Sequence, residues 1–156
     1  MFETFRSSSK LLKIFPAQSR AVWSIDYLTL DNSQLLCSGS EDNTICVWDM
    51  ETNKQIQSFN GHSMCVTCVK FSSYYHIYNC NVICSSSIDK TIRFWDIKSK
   101  QQLQMFNGHT EWISGIEFSS FNGGRYLCSG SGDNTIRLWD VETSKSLYVF
   151  RGHENI

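Results

Sequence analysis

Apolar and polar residues alternate along short segments of this chain with the two-residue period of a β-strand. In TICVWD, at residues 44–49, Cys46 and Trp48 share one face and Ile45 lies on the other. Similar segments recur, separated by Gly, Asn, Asp and Ser, which favour turns. No window shows the apolar period of an amphipathic helix. The pattern therefore predicts an all-β protein.

The alternation predicts short strands that recur in a fixed order in three similar units. The thirteen predicted segments cover residues 12–15, 23–27, 35–37, 44–48, 56–59, 67–71, 82–84, 91–95, 103–106, 114–118, 126–128, 135–139 and 147–150. The last of these is expected to stand alone after three four-stranded sheets.

Three sequence elements repeat in the same order. Trp-Asp occurs at 48–49, 95–96 and 139–140, and Gly-His occurs at 61–62, 108–109 and 152–153, both with spacings of 47 and 44 residues. Each Trp-Asp ends a related stretch: SGSEDNTICVWD, SSSIDKTIRFWD and SGSGDNTIRLWD. Units of four strands at a period of about 45 residues are typical of propeller blades. Over positions 10–156 the chain resembles the WD40 repeat family.

The resemblance implies a partial WD40 β-propeller: three four-stranded antiparallel blades plus the first strand of a fourth. The repeats are expected at 10–52, 53–99 and 100–143, with a partial one at 144–156, and residues 1–9 are expected to be disordered. The sequence stops inside the motif that opens a fourth unit. It is therefore expected to be a fragment, a truncated gene model, or a protomer that pairs with others.

Composition narrows the function classes. Fourteen basic residues face fifteen acidic ones, for a net charge of −1, without the basic patch that nucleic-acid binding leaves. The sequence has neither a secretory signal nor an apolar run long enough to span a membrane, so we expect a cytoplasmic or nuclear protein. The seven cysteines are interpreted as reduced, buried residues. No cofactor and no metal are expected.

The resemblance also implies a buried hydrogen-bonded chain in each blade. A buried carboxylate is costly unless donors satisfy it, and a histidine can be one of them. The matching residues are His62, Ser85, Asp89 and Trp95, then His109, Ser129, Asp133 and Trp139, and in the first unit only Ser38, Asp42 and Trp48. There Gln18 stands in place of the histidine, and either that blade is held less firmly or Gln18 substitutes as a donor. Whether Ser40, Ser87 and Ser131 join the chain instead is left open.

Three chemical alternatives compete with this structural interpretation. A His-Ser-Asp set also suggests a hydrolase, but a catalytic triad occurs once per site rather than once per repeat. Cys65 and Cys68, with Cys80 and Cys84, superficially resemble a zinc site. Gly130-x-Gly132 resembles a phosphate loop without the strand-to-helix context that such loops need. The repeated, structural interpretation explains more of these residues.

Binding is the expected function. The resemblance implies docking of proteins or peptides on a propeller face, and the positions that correspond to this face are Arg20, Met64, Glu111, Trp112, Glu41 and Ile88. Trp112 is the strongest candidate, because an exposed aromatic offers a large contact area; the alternative is that it packs against a neighbouring blade. The Tyr-rich loop at 72–81 is either a recognition surface or a neutral insertion. The alternative function is that of the propeller portion of a larger enzyme or signalling regulator. Further blades are expected to come from a longer chain or from another protomer.

Overall fold

The computed structural model describes residues 14–15, 18–30, 33–76 and 80–152, which form three four-stranded antiparallel sheets. The first sheet contains β1 (Val22–Leu30), β2 (Ser33–Ser40), β3 (Thr44–Asp49) and β4 (Lys54–Asn60). The second contains β5 (Val66–Phe71), β6 (Val82–Ser87), β7 (Ile92–Asp96) and β8 (Gln101–Phe106). The third contains β9 (Ile113–Phe118), β10 (Tyr126–Ser131), β11 (Thr135–Asp140) and β12 (Lys145–Arg151). The all-β class and the three four-stranded sheets are confirmed.

The placement of the last strand corrects one detail of the prediction. The segment at 147–150 does not stand alone, because it lies in β12, which pairs with β11 from Thr135↔Arg151 to Asp140↔Lys145. The cause is the turn after each Trp-Asp: in the first sheet, Asp49 Oδ1 accepts hydrogen bonds from the backbone N–H groups of Glu51 and Thr52 at 2.8 and 3.2 Å. This turn sends the chain straight back along the strand that it has just completed.

Each sheet therefore ends with the strand that precedes the next Gly-His, and the sheets are offset from the sequence repeats. The segment at 12–15 has no assigned strand at Ile14 and Phe15, and its first two residues lie outside the described residues. Residues 1–9, expected to be disordered, and the final four residues also lie outside them.

The second and third strands of each sheet are joined by a tight turn that ends in a left-handed residue. Asn43, Lys90 and Asn134 have φ values of 70°, 70° and 63°. Asparagine tolerates this conformation well, and such turns suit the twist of a hairpin. The Asp that precedes each of these residues is thereby fixed at one end of its sheet.

Two apolar layers hold the sheets together, one at each junction between consecutive sheets. At the first junction, Cys37, Ile45, Val47 and Phe59 pack with Val66, Val69, Phe71, Ile83 and Trp95. At the second, Cys84, Ile92, Phe94 and Phe106 pack with Ile113, Ile116, Leu127 and Trp139. Polar contacts join the inner strands as well: Asp26 Oδ2 accepts from the Phe71 N–H at 2.8 Å, and Lys70 Nζ lies 2.8 Å from Glu117 Oε2.

Among the residues that the structure describes, helix is limited to one turn, α1 (Ser73–His76), and a 3₁₀ turn at Asn122–Gly124. Tyr74 and Tyr75 pack against the second apolar layer, with the Tyr75 ring 6.1 Å from that of Phe94. These two tyrosines of the 72–81 loop thus contribute to packing, and residues 77–79 lie outside the described residues. Within the described part of the chain, no helix is long and apolar enough to cross a membrane.

Candidate functional site

The second sheet contains a continuous line of side-chain hydrogen bonds. Trp95 Nε1 donates to Ser85 Oγ at 2.8 Å, and His62 Nε2 lies 2.8 Å from the same oxygen. His62 Nδ1 lies 2.8 Å from Asp89 Oδ2. Because the indole N–H can only donate, the serine hydroxyl is free to donate to Nε2, and the proton on Nδ1 then faces the carboxylate. The line runs from the core of the sheet to its turn.

The third sheet repeats this line with the same spacing. Trp139 Nε1 donates to Ser129 Oγ at 2.8 Å, His109 Nε2 lies 2.7 Å from that oxygen, and His109 Nδ1 lies 2.8 Å from Asp133 Oδ2. Glycine before each histidine permits the close approach, since a Cβ at Gly61 would lie 2.6 Å from the Trp95 ring. The structure therefore brings the eight residues of the two complete units together as two separate sets.

The threonine two residues after each Asp belongs to the same site and was missed in the sequence analysis. The hydroxyls of Thr44, Thr91 and Thr135 each donate to the Oδ1 atom of the preceding aspartate at 2.6 Å. The Asp-x-Thr spacing recurs in all three units, so the repeat itself could have pointed to them. Backbone N–H groups of Ser63 and Thr110 complete the set at 3.1 Å.

These contacts determine the protonation states. Burial acts to raise the pKa of Asp89 and of Asp133, but hydrogen bonds from the histidine and threonine outweigh it and keep both pKa values well below 3.8. Burial lowers the pKa of His109 below 6.5 and outweighs the opposing effect of Asp133. A neutral His109 that donates to an ionised Asp133 satisfies both shifts.

The first sheet uses Gln18 where the others use histidine. Ser38 Oγ donates to Gln18 Oε1 at 2.6 Å, and Gln18 Nε2 donates to the Thr44 carbonyl at 3.2 Å. Asp42 is instead bound by the backbone N–H of Ser19 at 2.9 Å and by its hydroxyl at 3.2 Å. Trp48 is buried, with its ring 6.0 Å from that of Phe15. The Gln18 amide contacts Ser38 as a histidine would. It does not contact Asp42, which is bound by Ser19 instead.

The open choice between the two serines of each unit has a clear answer. Ser38, Ser85 and Ser129 contact Gln18 or histidine, whereas Ser40, Ser87 and Ser131 accept from the backbone N–H of the nearby Asp at 3.1, 3.0 and 3.2 Å. The second serine of each unit thus shapes the turn.

The geometry is poorly suited to hydrolysis. Ser85 and Ser129 are buried against tryptophan, so a substrate carbonyl has no path to either oxygen. Cys65 Sγ points to the carbonyl of Val66 and Cys68 Sγ to that of Ile116 in the next sheet, so the two thiols do not converge. Among the described residues, no group of three or more His, Cys, Asp or Glu side chains is placed to hold a metal ion.

The six residues expected on a docking face lie at the turn end of the sheets. The backbone N–H groups of Glu41, Ile88 and Gly132 donate to the carbonyls of Ala21, Cys65 and Trp112 at 2.9, 3.0 and 2.9 Å. This repeated bond brings the residue before each Asp beside the start of the inner strand. We call the edge formed by Arg20, Glu41, Met64, Ile88, Glu111 and Trp112 the rim.

The rim carries both apolar and charged side chains. Met64 and Trp112 are 48% and 47% exposed, and the Trp112 indole lies over Gly132, where a Cβ would come within 2.4 Å of it. Arg20 pairs with Glu41 at 3.3 Å, and Lys90 of the second sheet pairs with Glu111 of the third at 3.4 Å. Lys90 was not among the predicted residues. Its position in a left-handed turn gave no indication that its side chain would contact Glu111 of the next sheet.

Comparison with known families decides the assignment. The family described as WD domain, G-beta repeat matches residues 9–49, 53–96 and 100–140, well over half of the chain. The chain belongs to the WD40 repeat family. WD40 repeats in general mediate protein interactions, and the second and third matched repeats carry the two complete hydrogen-bonded sets.

Curated WD40 relatives match shorter stretches. The WD repeat-containing protein WDS homolog of Arabidopsis thaliana is 37% identical over 41 residues, which is 26% of this chain and 8% of the relative. Coatomer subunits beta'-1 and beta'-2 of the same plant are each 36% identical over 55 residues, 35% of this chain and 6% of each subunit. The matched part thus spans less than a tenth of the length of these relatives.

Proposed function

We propose that this chain is a non-catalytic WD40 scaffold that binds protein or peptide partners along the rim. The observation that carries the proposal is the exposure of Met64 and Trp112, large apolar side chains flanked by ion pairs on three consecutive sheets. Exposed aromatic and methionine side chains bordered by polar groups are typical of recognition surfaces.

Trp112 is the centre of the proposed site. Its indole rests on Gly132 of its own sheet rather than in the layer between sheets. Packing on a glycine fixes one ring face and leaves the other for a partner at a low entropic cost. The neighbouring Lys90–Glu111 pair, with side chains 46% and 54% exposed, supplies hydrogen-bonding groups of both charges beside it.

A phage-displayed random peptide library selected on the immobilised chain tests this proposal. Peptides that bind the wild type should lose most of their affinity for the double variant Trp112→Ala, Met64→Ala, while its melting temperature stays close to that of the wild type. Leu103→Ala is the matched control, since Leu103 is an exposed apolar residue of β8 outside the rim. Peptides that bind the double variant as tightly as the wild type would place the site elsewhere.

A second candidate is the propeller portion of a larger enzyme or signalling regulator. It is favoured by the short span that the matched region covers in the Arabidopsis relatives. Sequencing the transcript beyond codon 156 separates the two: further repeats support the scaffold, and an appended catalytic module supports this alternative.

For location we propose the cytosol or nucleus, where thiols stay reduced, which suits a chain in which Cys37, Cys46, Cys65 and Cys84 are buried thiols. Imaging of a fluorescent fusion in cells tests this, and secretion of the fusion would contradict it.

A further inference from the structure

The two outer faces of the three-sheet stack carry exposed apolar residues at positions whose equivalents are buried at the inner junctions. Cross-strand pairs identify the equivalent positions: Phe59↔Ile45, Phe106↔Ile92 and Phe150↔Ile136. The first two pairs are buried between sheets, whereas Ile136 and Phe150 are 49% and 56% exposed on the third sheet. We call this surface, with Cys128, the trailing face.

The first sheet presents the opposite half of such a junction. Ile25, Val69 and Ile116 are equivalent, since each pairs across its sheet with the serine of the hydrogen-bonded set. Val69 and Ile116 are buried against the preceding sheet, whereas Ile25 is 65% exposed. We call the surface formed by Val22, Ile25 and Tyr27 the leading face. One chain therefore carries the two surfaces that form such a junction, but on opposite outer sheets, where they do not contact each other.

We propose that the trailing face binds the leading face of a second copy of this chain, so that two copies close head to tail into a six-bladed ring. The new junction would have the same residue positions as the two junctions inside the chain. Three sheets from each of two copies give six, and closed propellers typically have four to eight blades. Two such contacts related by a twofold axis leave no open end.

Polar groups fit the same arrangement. Asn43 Nδ2 donates to the Ser63 carbonyl at 3.4 Å, and Lys90 Nζ donates to the Thr110 carbonyl at 2.5 Å, each across a junction. The equivalent donor on the third sheet is Asn134. Ser19 is the equivalent acceptor residue, because its N–H binds Asp42 as those of Ser63 and Thr110 bind their aspartates. Asn134 of one copy is thus matched to Ser19 of the other.

Two features oppose closure. Glu117 and Asp26 occupy equivalent positions and would bring like charges together, but Lys70 lies 2.8 Å from Glu117 and offsets its charge. Phe15 lies 6.0 Å from Trp48, where Phe150 of the second copy would stack as Phe59 does on Trp95 at 5.3 Å. Closure displaces Phe15, which occupies that position edge-on. Phe15→Ala should therefore tighten the dimer, and a looser dimer in this variant would contradict the stacking.

Sedimentation velocity of the purified full chain tests the ring directly. The expected species has a mass of about 36 kDa, twice the 18.0 kDa of one chain. A monomer at all accessible concentrations would overturn the proposal and leave the trailing face to another partner or to further blades. A series of growing oligomers would overturn closure, because it indicates an open head-to-tail array.

Paired variants identify the direction of the contact. Ile25→Asp and Ile136→Asp should each give a monomer, because each destroys one half of both contacts, and an equimolar mixture should restore a heterodimer through the one intact contact. A dimer that pairs like faces would lose assembly in one variant only and gain nothing on mixing. Leu103→Asp, which alters neither face, should remain dimeric.

Cys128 provides a readout in the unaltered chain. Its equivalents Cys37 and Cys84 are buried at the inner junctions, whereas Cys128 is exposed. Alkylation of Cys128, followed by peptide mass spectrometry, should slow severalfold as the chain concentration rises through the dimerisation range. A rate that does not depend on concentration would contradict burial of this face by a second copy.

Discussion

Ser38 Oγ donates a hydrogen bond of 2.6 Å to Gln18 Oε1, so an amide in the first sheet occupies the place of an imidazole in the other two. The Gln18 amide contacts Ser38 and Thr44, and Asp42 accepts hydrogen bonds from Ser19 instead. The first sheet consequently has the same serine contact without the direct link to its turn.

We expect Gln18→His to stabilise the chain by about 1 kcal/mol, the value of one net buried hydrogen bond, because an imidazole would contact both Ser38 and Asp42. Urea denaturation followed by tryptophan fluorescence measures this. Gln18→Ala should destabilise the chain, and a loss of stability in the histidine variant would show that the first sheet has adapted to the amide.

Loss of either Asp of the complete sets should be more costly than loss of the Asp that follows tryptophan. Asp89→Ala or Asp133→Ala leaves buried histidine and threonine donors unpaired and should lower the free energy of unfolding by about 1–3 kcal/mol. Asp49→Ala removes two turn hydrogen bonds nearer solvent and should cost less. Equal and negligible losses in the three denaturant curves would contradict a stabilising role for the sets.

Thr135→Val should destabilise the chain by about 1 kcal/mol, since it removes the 2.6 Å hydrogen bond to Asp133 Oδ1 without a large change in side-chain volume. Thr135→Ser is the matched control, because it keeps the hydroxyl. A valine variant as stable as the wild type would contradict a stabilising role for this hydrogen bond.

Stability should fall as the pH drops below about 6.5. The pKa of His109 is lower in the folded chain than its ordinary value of 6.5, so the unfolded chain binds a proton first and acidification favours unfolding. The contribution is fully present above pH 6.5 and declines below it, and the lowered pKa values of Asp89 and Asp133 add a further loss below pH 3.8. Melting temperatures of the wild type and of His109→Gln across this range test whether His109 causes the loss of stability near pH 6. The variant should show a shallower decline there.

The cysteines should remain reduced, and their reactivity should follow their burial. Burial raises the pKa of Cys37 and of Cys84, so both should react with thiol reagents far more slowly than the exposed Cys128. Under reducing conditions we expect no stoichiometric zinc. Elemental analysis that finds one zinc per chain, lost in Cys65→Ser, would contradict this.

The repeats made most of the fold predictable, because three copies of the strand pattern reinforce one another. What the sequence could not supply was the sheet to which the strand before each Gly-His belongs. The period-two alternation in 147–150 is the same whether that strand opens a sheet or closes one. The turn at Asp49, Asp96 and Asp140, with its carboxylate–amide bonds, determines the pairing.

The site was predictable where it repeats and not where it varies. The Asp-x-Thr contacts were missed although their spacing recurs, because threonine at the start of a strand is already explained by its β-propensity. The reach of Lys90 to Glu111 depends on a left-handed backbone and on the neighbouring sheet, and neither is encoded in a local pattern. Gln18 is the converse case: comparison of the three units locates the departure from histidine, but only the structure shows that Gln18 keeps the contact with Ser38.

Both inner junctions use the same residue positions. A break in the chain at either junction would therefore expose two surfaces that still match each other. Duplication or deletion of one whole unit in the gene would leave every remaining interface with a matching surface, whereas an insertion inside a unit would have to preserve strand register. Family members with different numbers of units can therefore arise by single recombination events, without the separate evolution of a new interface.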